Sequence, residues 1–112
     1  MNKLYELETS LFKKEFLCDR EYLENIFHDE FMEYGKSGFV YRKRDTIEAL
    51  YNIGDRDIKV EDFIWKKLDY KTYIVHYVSF HDKTSVYRTS IWIDNGIQLQ
   101  LYFHQGTIRN DC

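Results

Sequence analysis

The hydrophobic pattern of this chain changes period near residue 57, and that change constrains the fold more than any other feature. Before it, apolar residues recur every three or four positions, as they do along one side of an α-helix. After it, apolar and polar residues alternate in long runs, as they do in half-buried β-strands. Helices grouped before long antiparallel strands indicate an α+β fold, with the helices on one face of a curved sheet.

The first part of the chain predicts two helices followed by a hairpin. An amphipathic helix is expected over about 3–17, and Asp19 is placed to cap a second, shorter helix that ends near His28. Two short aromatic runs, 31–34 and 39–41, flank a loop bounded by glycines. This arrangement is typical of a β-hairpin.

A third helix and a set of strands complete the expected fold. The spacing of Asp45 and Glu48 is that of a capping box, which places the start of the helix at Asp45, and Gly54 is suited to end it. The alternation slips at Glu61 and Asp62, and this slip predicts a β-bulge. The strand-forming runs are 58–65, 73–80, 86–93 and 97–104.

Length and composition narrow the class of protein. The 112 residues fit one domain, 1–112, which is large enough to bury a core without a disulfide or a metal. Sixteen basic against nineteen acidic residues give a net charge of −3, which argues against nucleic-acid binding by bulk charge. No run approaches the roughly 18 apolar residues of a membrane span, and no signal sequence is present, so a cytoplasmic location without membrane contact is expected.

The two cysteines fit neither a disulfide framework nor a metal site. Cys18 and Cys112 lie in no Cys-x-x-Cys pattern and in no Cys/His cluster. We expect a buried thiol at Cys18 and a frayed tail residue at Cys112. Neither a metal nor a cofactor is expected.

Several ionisable side chains fall on faces that the pattern predicts to be apolar. Glu8 lies within the apolar arc of the first helix, where a carboxylate must be paired, hydrogen-bonded or neutral. Glu33 shares a strand face with Phe31. If both faces point inward, Arg88 is the expected counter-ion of Glu8, of Glu33 or of both.

Further polar candidates lie on the later strands. Ser90 and Trp92 share the face of Arg88. His104 and Gln105 face opposite ways on the last strand unless a bulge intervenes, so at most one of them is expected in the interior.

Three local strings together resemble a known superfamily. They are the hairpin F-x-E-x-G-x-S-G at 31–38, the strand Y-R-T-S-x-W at 87–92 and the terminal strand F-H-Q-G-T at 103–107. In this order they resemble the nuclear transport factor 2-like superfamily, in its SnoaL-like branch described as domain of unknown function 4440. The resemblance covers the chain from Leu4 to Thr107 and implies a cystatin-like α+β roll. In such a roll, a cone-shaped, strongly curved antiparallel sheet wraps around three N-terminal helices and encloses a pocket.

The resemblance leaves several functions open, because one fold hosts many activities. The superfamily contains isomerases, dehydratases, cyclases, small-molecule binders, dimeric interaction modules and immunity proteins. The leading hypothesis is a small organic ligand in the pocket. Acid/base catalysis of the isomerase or dehydratase type by Glu8, Glu33 or His104 would extend it, with Arg88 holding an anion. The pocket candidates are Glu8, Glu33, Tyr34, Arg88, Ser90, Trp92 and His104.

Two alternatives stay open beside that hypothesis. The same charged cluster would serve equally as a structural network that fixes helix to sheet. The chain would otherwise act as a non-catalytic dimeric interaction or immunity protein through its sheet surface. Tyrosines on several strands favour a homodimer through the outer face, because tyrosine suits a subunit interface. These tyrosines are Tyr70, Tyr73, Tyr77, Tyr87 and Tyr102.

Overall fold

The helices and strands of the computed structural model follow the order that the change of period predicts. The structure describes residues 2–110. Its helices are α1 (Asn2–Ser10), α2 (Lys14–Leu17), α3 (Arg20–Ile26) and α4 (Lys43–Leu50). Its strands are β1 (Phe27–Tyr34), β2 (Val40–Arg42), β3 (Lys59–Lys67), β4 (Thr72–His81), β5 (Thr84–Asp94) and β6 (Leu99–Ile108).

The strands form one open sheet in the order β2-β1-β6-β5-β4-β3. All neighbours run antiparallel except β1 and β6, which run parallel. The expected purely antiparallel sheet is therefore mixed at one pair, because no hairpin joins those two strands and fixes their relative direction. Helices and sheet bury one apolar cluster that includes Leu4, Leu17, Leu23, Ile47, Val75 and Trp92.

The single first helix expected over about 3–17 is broken into α1 and α2. Thr9 and Ser10 end α1, and their hydroxyls donate to the carbonyls of Tyr5 at 2.8 Å and Leu7 at 2.6 Å. Such back-bonding loosens the last turn of a helix. The backbone N–H of Lys14 then donates to the carboxylate of Asp55, across the fold, where α2 begins.

The start of α3 is as predicted, and its end is earlier. The Asp19 carboxylate accepts the backbone N–H of Tyr22 at 3.1 Å, as an N-cap does. The helix ends at Ile26, so Phe27 and His28 are the first residues of β1.

The capping of α4 differs from the prediction by three residues. The helix begins at Lys43, and the Asp45 carboxylate accepts the backbone N–H of Arg42 at 2.9 Å. Asp45 therefore occupies the third helical position rather than the N-cap. Beyond the helix, Asn52 with φ 65° is the first residue in the left-handed region, ahead of Gly54 with φ 89°.

Two irregularities in the sheet set which side chains face inward. The bulge predicted near Glu61 and Asp62 is confirmed, because the β3–β4 register shifts there and Asp62 has φ 55°. A second shift leaves Tyr102 without a partner on β5. It reverses the alternation of β6, so that Leu101 and His104 are both buried.

Two predictions about surface residues are wrong. Cys18 is exposed rather than buried, and Cys112 lies outside the described residues. Tyr77, expected on the outer face, is only 4% exposed and points toward the helices, and Tyr73 packs against the same core. Among the described residues, no helix is long and apolar enough to cross a membrane.

We expect Asp19→Ala to lower the free energy of unfolding by about 1 kcal/mol, because the N–H of Tyr22 loses its acceptor. Urea denaturation followed by circular dichroism measures this change. Glu21→Ala, which removes a carboxylate from the first turn of the same helix, is the matched control and should cost less. Equal losses in the two variants would contradict a specific capping role.

Candidate functional site

A cavity of about 130 Å³ lies between the helices and the inner face of the sheet. Phe27, Phe31 and Leu101 contribute to its apolar wall. Its polar lining residues are Glu8, Glu33, Thr46, Arg56, Tyr77, Arg88 and His104.

A second, wider cavity of about 340 Å³ adjoins the first. The two share a wall that includes Glu33, Thr46, Arg56 and Arg88. The wider cavity continues past the β1–β2 loop at 35–37 toward the surface. The shared wall therefore separates this wider cavity, the vestibule, from the first one, the inner cavity.

The carboxylate of Glu8 is enclosed by the sheet. Tyr77 donates its hydroxyl to Oε2 at 2.7 Å, and Trp92 donates its indole N–H to Oε1 at 3.0 Å. Burial raises the pKa of Glu8, while hydrogen bonding from Ser90, Tyr77 and Trp92 opposes the rise. The sequence placed Glu8 on an apolar face, and the structure shows how that carboxylate is satisfied.

His104 lies between Arg88 and Ser90 and is hydrogen-bonded to both. Arg88 Nη1 lies 3.4 Å from His104 Nε2, and His104 Nδ1 lies 2.7 Å from Ser90 Oγ. Because a guanidinium only donates, Nε2 is the acceptor and Nδ1 carries the proton. Burial and the charge of Arg88 lower the pKa of His104 to about 3, so the imidazole is neutral near pH 7.

Arg88 has neutral hydrogen-bonding partners and not the acidic ones expected from the sequence. Its Nε donates to Ser79 Oγ at 3.1 Å. Residues 2–110 contain no ion pair between Arg88 and either Glu8 or Glu33. Gly106, its partner on β6, leaves room for the guanidinium, because a Cβ there would lie 2.8 Å from Nη1.

Glu33 faces the cavity without a hydrogen bond or an ion pair in the described part of the chain. Burial raises its pKa, and the positive charge of Arg88 opposes that rise, as Arg56 does more weakly. Glu33 and Arg88 thus influence each other through space rather than by contact.

Arg56 is a cavity residue that sequence reasoning missed. It lies in the loop between α4 and β3, where its backbone N–H donates to the carbonyl of Phe12 at 3.0 Å. Its Nη2 donates to the carbonyl of Leu11 at 2.6 Å. Both carbonyls lie in the segment that interrupts the helix between α1 and α2. In the sequence, an arginine between Asp55 and Asp57 is typical of a solvated loop, so no local signal identified it.

Three of the candidates, Tyr34, Ser90 and Trp92, do not line the cavity. Ser90 is fully buried and hydrogen-bonded to His104. Tyr34 points to the opposite face of β1, is 45% exposed, and places its ring 5.4 Å from that of Phe103. Trp92 is fully buried behind Glu8. No three His, Cys, Asp or Glu side chains within residues 2–110 are placed to hold a metal ion.

The buried carboxyl of Glu8 should make stability depend on pH. Since its pKa is raised above the ordinary value of 4.5 by folding, the folded state holds the proton to a higher pH than the unfolded chain. The stabilisation is complete below pH 4.5 and is lost as the pH rises through the folded-state pKa. We expect Glu8→Gln to reduce this loss of stability with rising pH. The glutamine amide does not titrate, and it can accept from Trp92 and donate to Tyr77.

Denaturant unfolding between about pH 5 and pH 8 measures this slope. Glu6→Gln, at an exposed position of the same helix, is the control and should leave the slope unchanged. A Glu8→Gln profile parallel to that of the wild type would contradict the burial argument.

Comparisons with known proteins connect this geometry to a fold. No family model matches the sequence, and no curated protein matches it. Solved structures do match. An NTF2-like protein from Cytophaga hutchinsonii superposes with a TM-score of 0.79 at 18% identity, over 96% of this chain and 97% of that one.

Two further structures agree with that match. An uncharacterised protein with a cystatin-like fold from Caulobacter vibrioides gives a TM-score of 0.80 at 11% identity, covering 96% of this chain and 87% of that one. An NTF2-like protein of unknown function in nutrient uptake from Rhodospirillum rubrum gives 0.75 at 15% identity, covering 98% and 99%. The narrower SnoaL-like branch stays a prediction. At these identities the likeness concerns the fold, and the chain has the fold of the nuclear transport factor 2-like superfamily.

Proposed function

We propose that this chain binds a small organic molecule in the cavity between its helices and its sheet. The observation that supports the proposal is a set of ionisable groups, Glu33, Arg56 and Arg88, that face the cavity without ion pairs in residues 2–110. These three side chains are half-buried, and a purely structural network would be expected to pair them, because removing a charge from water without a partner is unfavourable. The vestibule of about 340 Å³ is also within the usual range for ligand sites.

Glu33 is the best placed of the three acid/base candidates. Both oxygens of Glu8 accept hydrogen bonds, and His104, with a pKa of about 3, is not protonated near neutral pH. Glu33 has a raised pKa and no hydrogen-bonding partner among the described residues. Proton transfer to or from a bound molecule, if the pocket supports isomerase or dehydratase chemistry, would therefore involve Glu33.

A homodimer through the outer face of the sheet is the second element of the proposal. Ile64 on β3, Phe80 on β4 and Tyr87 on β5 are 52%, 44% and 52% exposed. Large apolar side chains on a sheet face favour burial against a partner surface. A second copy of the chain would supply a matching apolar face. Such a dimer is compatible with a ligand on the inner face. If no ligand binds, the dimer corresponds to the alternative of a non-catalytic interaction or immunity protein that acts through its sheet surface.

Fragment screening by protein-observed NMR tests the pocket. We expect a subset of small organic fragments to shift the resonances of Phe31, Leu101 and Arg88. Leu50→Trp should weaken these shifts or abolish them, because Leu50 lines both cavities and an indole there would take up space in each. Val40→Trp introduces the same indole at an exposed residue that lines neither cavity and should leave binding intact. Failure of every fragment to perturb the cavity resonances would refute the proposed pocket.

Sedimentation equilibrium at micromolar concentration tests the dimer. We expect twice the mass of the chain for the wild type and a monomer for Tyr87→Asp, because a carboxylate in an apolar interface is costly. Tyr70→Asp is the control, because Tyr70, which the sequence predicted on the outer face of a strand, lies instead in the turn between β3 and β4. A monomeric wild type would remove the dimer from the proposal.

A further inference from the structure

The wall shared by the two cavities carries two guanidinium groups with unused donors. Arg88 uses Nε and Nη1, and Arg56 uses Nη2. Within residues 2–110, Arg88 Nη2 and Arg56 Nη1 have no hydrogen-bonding partner. Neither guanidinium is in an ion pair there. Each positive charge therefore lacks a contacting anion in a sheltered site, which is unfavourable unless a ligand supplies one.

Two more polar atoms beside this wall are unsatisfied. Thr46 Oγ1 and Arg56 Nε are buried without a hydrogen-bonding partner in the described residues. Thr46 lines both cavities together with the two arginines. Buried polar groups normally find partners, so these two atoms add to the unpaired donors of the wall, although neither has enough accessible surface to contact a ligand itself.

The electrostatics of the wall favour a negatively charged acceptor. Burial and the charge of Arg88 both lower the pKa of Arg56, so the two cations are close enough to repel. Among the described residues that line the vestibule, Glu33 is the sole acidic one, against Lys36 and the two arginines. Burial disfavours the charged form of Glu33 as well. An anion bound between the two guanidinium groups would relieve their repulsion.

We propose that the Arg56–Arg88 wall binds the carboxylate of a small organic acid whose apolar part occupies the inner cavity. The planar fork of a guanidinium matches a carboxylate. The apolar part would contact Phe27, Phe31 and Leu101. At about 130 Å³ the inner cavity is close to the roughly 150 Å³ that accommodates a benzene ring in an apolar protein cavity. The inference rests on the proposed function, and it adds the chemical class of the ligand.

Carboxylates paired with their own amides test this inference. Isothermal titration calorimetry with benzoate, butanoate and hexanoate, each against its primary amide, separates charge from shape. We expect at least one carboxylate to bind more than about tenfold more tightly than its amide, because hydrogen bonds to a charged group are stronger than those to a neutral one. Equal affinity for acid and amide would overturn this inference and leave the proposed pocket standing. If neither the acids nor the amides bind, and no fragment binds in the NMR screen, the proposed pocket is wrong as well.

Variants identify the groups responsible. Arg56→Gln and Arg88→Gln should each weaken carboxylate binding by about tenfold or more, whereas Arg44→Gln, at an exposed arginine paired with Glu24, should not. Glu33→Gln should tighten carboxylate binding and leave amide binding unchanged, since it removes a like charge.

A milder change covers the case in which an arginine variant does not fold. Gly106→Ala keeps the charge of Arg88 but displaces its Nη1, so it should weaken carboxylate binding while the chain stays folded. Unchanged carboxylate affinity in both Glu33→Gln and Gly106→Ala would overturn the assignment. If inorganic phosphate displaced the carboxylate at equal concentration, the wall would be a general anion site, and its assignment to an organic acid would be wrong.

Discussion

The enclosed carboxylate of Glu8 is the interaction on which the interior depends. It lies on α1 and accepts hydrogen bonds from Tyr77 on β4 and Trp92 on β5. Removal of either donor would leave a buried oxygen unsatisfied, which is costly in a low-dielectric interior. Helix and strands are thereby held in one relative position. Because Arg88 lies four residues before Trp92 on β5, the same register directs its side chain to the inner face.

The two arginines of the shared wall are positioned by gaps in regular structure. The break after α1 exposes the carbonyls of Leu11 and Phe12, and these hold Arg56. The missing side chain of Gly106 leaves space for the guanidinium of Arg88. Their partners are carbonyls, a serine hydroxyl and a neutral imidazole, none of which compensates a positive charge. The hydrogen-bonding groups around Glu8 are thus satisfied, whereas the two guanidinium groups keep unpaired donors, as the proposed ligand site requires.

Sequence reasoning found part of this site by looking for polar residues on apolar faces. That criterion identified Glu8, Glu33, Arg88 and Ser90, all of which the structure places on the inner side. It failed for Tyr77, because β4 carries apolar residues at both alternations, such as Val75 and Val78, and so gives no preferred face. It also failed for Tyr34, since its aromatic ring fits either side of a hairpin strand. For these two residues, the face that each side chain takes follows from the strand register, which only the structure gives.

Local features were determined by the sequence itself. The order of helices and strands, the Asp19 cap and the bulge at Asp62 each depend on residues close together in the chain, so their patterns are legible without a structure. Only the tertiary structure decided where α1 breaks, which face His104 takes after the β6 bulge, and that Arg56 reaches Leu11, 45 residues away. These outcomes depend on contacts between distant segments, whose geometry exists only once the helices have packed on the sheet.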